Sequence, residues 1–292
     1  MFLKNRIVRI ISYISLYLSL TASFVIWRFP IDEMKGQIEQ LIQTSTPLRV
    51  SFGSLKMLHS IGIAADTIKV TKVGQDKDVE LIEIKKGLLR PSFFSFLLGE
   101  PTVKFDFEVL GGTLDGEVSQ VDGKNFLFMN AHGLKLNWLK FLDEEYGVQV
   151  SGSLDNQTKI LFDNKDFSKT TGEITLKMSN VKAVKFPFAS FLAGNDQPIQ
   201  LGNINGKLNM EKTNINFKEF SIDGSDLQGS LLGSVKMKPN MLMSTLSLDA
   251  NIKLKGNIEK KVGTILQGIK PKNSDGFHTW KIRGTLGSPI PQ

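Results

Sequence analysis

TVKFDFEVLGGTLDGEV, residues 102–118, alternates apolar and polar side chains up to a pair of glycines and then resumes after them. An alternation of period two places Val103, Phe105, Phe107 and Val109 on one face of a strand and Lys104, Asp106 and Glu108 on the other. Gly111 and Gly116 stand as far apart as the glycines of a phosphate-cradling loop. Such a loop needs Lys and then Ser or Thr directly after its second glycine, with a helix behind it. Glu117 and Val118 occupy those places, and a carboxylate there repels phosphate. The glycines therefore serve the fold.

The same alternation recurs in LRVSFGSL (48–55), DTIKVTKV (66–73), VELIEIKK (79–86), GEITLKMS (172–179), GKLNMEK (206–212), TNINFKEFSI (213–222), SLLGSVKM (230–237), STLSLDANIKLKG (244–256) and TWKIRGTL (279–286). Each reads as a strand with one covered and one polar face, which favours antiparallel meanders over a buried parallel sheet. A glycine stands two residues before an aliphatic one at Gly112/Leu114, Gly152/Leu154, Gly172/Ile174, Gly206/Leu208, Gly229/Leu231, Gly233/Val235 and Gly284/Leu286. There the glycine eases the backbone where the chain turns or the sheet bends, and the aliphatic residue begins the buried face. Spacings are irregular, so this is a recurring strand opening and not a repeat of fixed period.

Three short segments, PSFFSFLLG (91–99), LNWLKFLDEEYG (136–147) and FPFASFLAG (186–194), read as helices ending at glycine. Their Phe93, Phe94, Phe96, Trp138, Phe186, Phe188 and Phe191 are expected to plug the ends or open side of a curved sheet, or else to touch lipid. The stretch IDEMKGQIEQLIQTS (31–45) has helical spacing and is expected to pack on the domain behind it rather than lie on a membrane.

Residues 10–27 form an uncharged run of eighteen, preceded by Lys4, Arg6 and Arg9. As a helix it would be about 27 Å long, enough for a bilayer core. Basic residues before it place the N-terminus in the cytoplasm and the rest of the chain outside. Ile10 opens the run, while Tyr13, Tyr17, Trp27 and Arg28 suit interfacial anchoring. Small residues at Thr21 to Ser23 offer a signal-peptidase site, but the apolar run continues past them, so an anchor is the expected outcome. The expected organisation is a cytoplasmic N-terminus at 1–9, an anchor at 10–28, an amphipathic linker helix at 29–46 and a β-rich exported domain at 47–292. The fold class is mainly β, an N-terminal transmembrane helix followed by a large curved antiparallel sheet, groove or flattened half-barrel, with few short helices.

The net charge of +7 gathers before the anchor and in the tail, where Lys253, Lys255, Lys260, Lys261, Lys270, Lys272, Lys281 and Arg283 face only Glu259 and Asp275. That pattern suits an anionic surface or partner, but a solvated basic face is the expected reading, and no nucleic acid is expected. The absence of cysteine excludes disulfides, thiolate metal sites and a cysteine nucleophile. His59, His132 and His278 lie in no metal-ligand pattern, no G-x-S-x-G elbow is present, and Asp143, Glu144, Glu145, Asp223 and Asp226 lack calcium-loop spacing. Neither catalysis nor a cofactor or metal is expected.

The order of features, FGSL with GIAADTIKV, then LLRPSFFSFLLGEPTVKFDFEVLGGTLDGEV, then DGSDLQGSLLGSVKMKPNMLMSTLSLDANIKL and a closing KIRGTLGSPIPQ, resembles the type II secretion system protein N family in its deltaproteobacterial form. That family is similar to the AsmA-like and translocation-module proteins. The resemblance implies an inner-membrane protein with a periplasmic body, either an accessory part of a protein secretion machine or a curved sheet whose apolar groove binds lipid. The expected partners are the inner membrane, other secretion-system components reached through exposed sheet edges, and lipid acyl chains. The basic tail is not part of the family pattern.

Overall fold

The computed structural model describes residues 13, 16–17, 31–46, 48–58, 62–74, 78–121, 123–163, 169–185, 198–238 and 241–292. Their strands are β1 (Leu48–Leu58), β2 (Gly62–Lys72), β3 (Val79–Pro91), β4 (Thr102–Val109), β5 (Gly112–Val121), β6 (Lys124–Lys135) and β7 (Gln149–Phe162). Seven more follow, β8 (Thr171–Lys185), β9 (Ile199–Glu211), β10 (Asn214–Asp223), β11 (Leu227–Lys236), β12 (Thr245–Leu254), β13 (His278–Thr285) and β14 (Ser288–Pro291). All fourteen pair with their sequence neighbours in one antiparallel, open meander. At about 4.8 Å between strands the sheet is on the order of 60 Å long.

Short turns explain the simple order. Between β4 and β5 the loop is Leu110 and Gly111, both at positive φ (50° and 69°). A two-residue loop of that kind matches the twist of its strands. The Leu110 side chain is buried beside Val109, Ala131 and Leu134, which offsets the strain of a leucine in the left-handed region. The opening stretch is thus a hairpin, with its glycine pair at and just after the bend.

Register irregularities keep the apolar side chains on one face. In β6, β7, β8 and β9, Gly133, Gly152, Asn180 and Gly202 have positive φ at or beside breaks in the pairing. Each bulge changes the phase of the alternation, so Leu134, Val150 and Val181 stay on the side of Ala131, Leu154 and Met178.

Helix α1 (Ile31–Ser45) lies along the outer edge of β1. Glu39 accepts the outward Phe52 N–H at 2.8 Å, and Lys35 donates to the Gly53 carbonyl at 3.4 Å. At the other edge Pro289 and Pro291 of β14 alternate with Ile290, and Gln292 exchanges both backbone hydrogen bonds with Lys281. The prolines therefore fall where N–H groups would point outward. Proline and helix cover are two ways a sheet blocks strand addition, so neither edge is the open template expected from the sequence.

Helix α2 (Phe93–Leu97) joins β3 to β4. A 3₁₀ turn (Leu136–Trp138) and α3 (Lys140–Tyr146) join β6 to β7. Gly147 ends α3 at φ 63°, as its position in the sequence indicates. Helix α4 (Gly256–Ile269), which the alternation pattern does not reveal, joins β12 to β13. No helix among the described residues is long and apolar enough to cross a membrane. Most of the expected anchor, Ile10, Trp27 and Arg28 included, lies outside those residues; Tyr13 and Tyr17 are helical and exposed.

Candidate functional site: the apolar face

One cross-strand row fixes the chemistry of the face. Reading from β1 to β14, Met57, Ile63, Leu89, Phe105, Gly116, Met129, Thr158, Ile174, Leu208, Phe217, Gly233, Leu248, Ile282 and Pro291 are successive register partners. Thr158 is the one hydroxyl in it, and its Oγ1 is turned to the Asn156 amide oxygen at 2.8 Å. One position along, Arg90, Lys104, Glu117, Phe128, Lys159, Glu173, Asn209, Asn216, Ser234 and Ser247 form the corresponding row on the opposite face. The sheet is therefore apolar on one side along its whole length.

Glycines in this row make room for rings. A Cβ on Gly116 would stand 2.7 Å from the Phe105 ring and 2.1 Å from the Phe128 carbonyl oxygen. Phe105 lies across the bare backbone of its neighbour and stacks on Phe107, with centroids 5.5 Å apart.

The face is covered at one end. There Leu136 and Leu139 pack with Val181, Ile204 and Met178, and α4 sets Ile258 and Leu266 on Ile199, Leu254 and Ile252. Burying each such aliphatic side chain contributes about 1.5–3 kcal/mol. Two ion pairs tie these covers down. Asp143 of α3 accepts from Lys185 at 2.8 Å and from Gln149, and these hydrogen bonds hold its carboxyl below the usual range. Glu259 of α4 accepts from Lys272 at 2.7 Å and is lowered by that bond, with Lys272, Lys253 and His278 adding charge. His278 lies fully buried with Nδ1 against the Lys270 carbonyl oxygen, fixing the end of α4.

Toward the other end Val235, Leu246 and Leu248 are buried with Phe217, Leu231, Met237 and Ile282 along β10 to β13, whereas over β3 to β6 no second sheet lies on the face among the described residues. Phe105, Leu114, Leu127, Met129, Ile160 and Ile174 are only half-buried, and Leu89, Val103 and Val118 are more exposed still. The opposite face carries paired polar groups, among them Lys86–Glu108, Lys207–Glu219, Arg283–Asp249 and the chain Gln157–Asn130–Asp115. A shallow cavity of about 260 Å³ on that side is bordered by Arg90, Lys104, Asp106, Asp115 and Glu117, whose charges largely offset one another.

The aromatic residues singled out from the sequence divide between the two ends. Trp138 sits at the covered end with the Lys85 ammonium 5.2 Å from its ring. Phe93, Phe94 and Phe96 belong to α2 at the end opposite α3 and α4, where Phe94 is 79% exposed. Phe186, Phe188 and Phe191 lie outside the described residues, as does His59. His132 is exposed beside Asp155, far along the sheet from His278. Most residues of the row were visible strand by strand, but Met129 of β6, Thr158 of β7 and Pro291 of β14 were not, nor was the alignment. Helix α4 had a signal in Ile258, Val262, Ile265, Leu266 and Ile269 at helical spacing, masked by Gly256, Gly263 and Gly268.

No family model, curated protein or solved structure matches the chain.

Proposed function

We propose that this protein holds the acyl chains of envelope lipids along the apolar face of its sheet, as an inner-membrane-anchored protein with a periplasmic body. The register row supports this reading: fourteen strands align apolar residues on one surface, which is closed at Leu208 and Leu248 but only half-covered at Leu89, Phe105 and Met129 of β3, β4 and β6. Leu89, Val103 and Val118 leave part of that strip in solvent, as surfaces that meet an apolar partner do. Each methylene that leaves water for such a surface contributes about 0.8 kcal/mol. A curved sheet would wrap that strip around a chain, and the bulges of β6 to β9 supply local bends. The ion pairs that flank the face, Asp143–Lys185 and Glu259–Lys272, act as fasteners of its covers. Native mass spectrometry of protein released from its detergent should show lipid mass on the chain. Bare protein with an unchanged fold would refute the proposal.

A second reading, an accessory component of a type II secretion system acting through protein contacts, draws on the order of sequence features and on the exposed apolar residues of α2. With both edges blocked, such contacts would run through side chains rather than strand addition. Deletion should then strand exoproteins in the periplasm, and normal secretion in the deletion strain would rule it out.

A further inference from the structure

Three large apolar side chains of the β3–β4 connection stand in solvent: Phe94 is 79%, Leu97 67% and Leu98 80% exposed. They sit on the connection at the end of the sheet away from α3 and α4, close in sequence to the exposed Leu89 and Val103 of the two strands it joins. A soluble surface gains nothing from such a cluster, since each side chain orders water that an apolar partner would release.

The position of α1 identifies the partner. Its C-terminal end leads into the start of β1, at the covered end of the sheet, while Glu39 reaches Phe52 and Lys35 reaches Gly53 farther along. The helix thus runs antiparallel to β1, and its first residue, Ile31, points to the end that carries α2. The uncharged run 10–27 stops only three residues before α1 begins. A bilayer entered by that run so close to the start of α1 would lie at the α2 end, and α2 is about three strand spacings, roughly 15 Å, from the β1 edge.

We infer that α2 dips Phe94, Leu97 and Leu98 into the outer leaflet of the membrane that holds the anchor, so that the open end of the apolar face meets the lipid surface. The occupant is a phospholipid bilayer, and the inference deepens the acyl-chain reading, on which it rests for the role of the face. A protrusion of this kind lies in the interface and does not span it. It gives a lipid a continuous apolar path from leaflet to sheet without exposing its chains to water.

Because the chain contains no cysteine, Leu97→Cys provides a single attachment point for a nitroxide. The full chain is reconstituted in vesicles of phosphatidylethanolamine and phosphatidylglycerol, and collisions with oxygen and with a water-soluble nickel chelate are compared. The Leu97→Cys label should show an oxygen-to-nickel ratio severalfold above that of a Thr264→Cys label on the exposed side of α4. A ratio equal to that at Thr264, or shielding from both reagents as in a contact with protein or a second copy, would overturn the inference. Lipid bound to the wild-type chain is measured separately by mass. Lipid present with an aqueous Leu97→Cys label sinks the docking of α2 alone, whereas a bilayer-immersed label on a chain without lipid sinks the acyl-chain reading and leaves the docking. The double variant Leu97→Asp/Leu98→Asp should lower lipid loading severalfold while leaving the unfolding transition in place. Unchanged loading would count against the path.

Discussion

Replacing Gly112 with alanine tests what the glycines of residues 111–118 do. A Cβ at this position would stand 2.2 Å from the His132 carbonyl oxygen and 2.7 Å from the Gly133 carbonyl carbon. Both are backbone atoms of β6, so no side chain can rotate aside. Strands β5 and β6 must separate by about 1 Å, which costs about 1–3 kcal/mol as overpacking. A weakened ladder hydrogen bond adds about 1 kcal/mol, so the expected loss is about 2–4 kcal/mol. Gly111→Ala is a different case. Its φ is 69°, but the nearest atom to a new Cβ is the flexible Lys135 Cδ at 3.2 Å. The cost is then that of a left-handed alanine, about 1–2 kcal/mol. Gly36 in α1 has nothing within 4 Å of an added Cβ, and alanine there should stabilise the helix by about 0.5–1 kcal/mol. Urea unfolding followed by tryptophan fluorescence should rank the variants Gly36→Ala, wild type, Gly111→Ala, Gly112→Ala from most to least stable. A Gly112→Ala chain as stable as wild type, or more stable than Gly111→Ala, would refute the close-approach account.

The edges give a second prediction. Glu39→Ala leaves the Phe52 N–H without its acceptor, which should cost about 1–3 kcal/mol, and Pro289→Thr/Pro291→Val restores two outward donors on β14. Both variants should self-associate in sedimentation velocity, and monomers at all concentrations would show that the edges are not what α1 and the prolines guard. The covers respond to pH. The Asp143 and Glu259 carboxyls are lowered in the folded chain, so their contribution is present above the ordinary carboxylate range and is lost as pH falls through the lowered folded values. Carboxyl ¹³C NMR should show each titration moving up toward its ordinary position in Lys185→Met and Lys272→Met respectively; a titration that stays low in the variant would assign the shift to another cause. In the middle of the row, Met129→Glu should abolish lipid binding yet cost only about 1–2 kcal/mol of stability, as at a half-open site. A loss of folding altogether would mean the face is a closed core.

Strand positions were legible wherever the two faces of a strand differ in polarity. TVKFDFEVL and STLSLDANIKLKG locate β4 and β12 because every second residue is polar. β6 escaped notice for the opposite reason, since NFLFM sets Leu127 and Met129 on the apolar face and Phe126 and Phe128 on the polar one. The bulges also broke the pattern, as at Asn180, where the buried set jumps from Met178 to Val181. α4 was hidden by its three glycines, and its place over Leu254 depends on long-range contact. The row itself could not be read from sequence, because register between strands is set by turn lengths and bulges together. Nor could the edges, where proline placement matters only once β14 is known to be outermost.

The most direct measurement is native mass spectrometry of the full chain, wild type and Met129→Glu, after purification from membranes and removal of detergent. The account predicts discrete added masses of one or more phospholipids on the wild-type chain, absent from Met129→Glu at equal folded content. A wild-type chain that carries no lipid, or a Met129→Glu chain that carries as much, would contradict it.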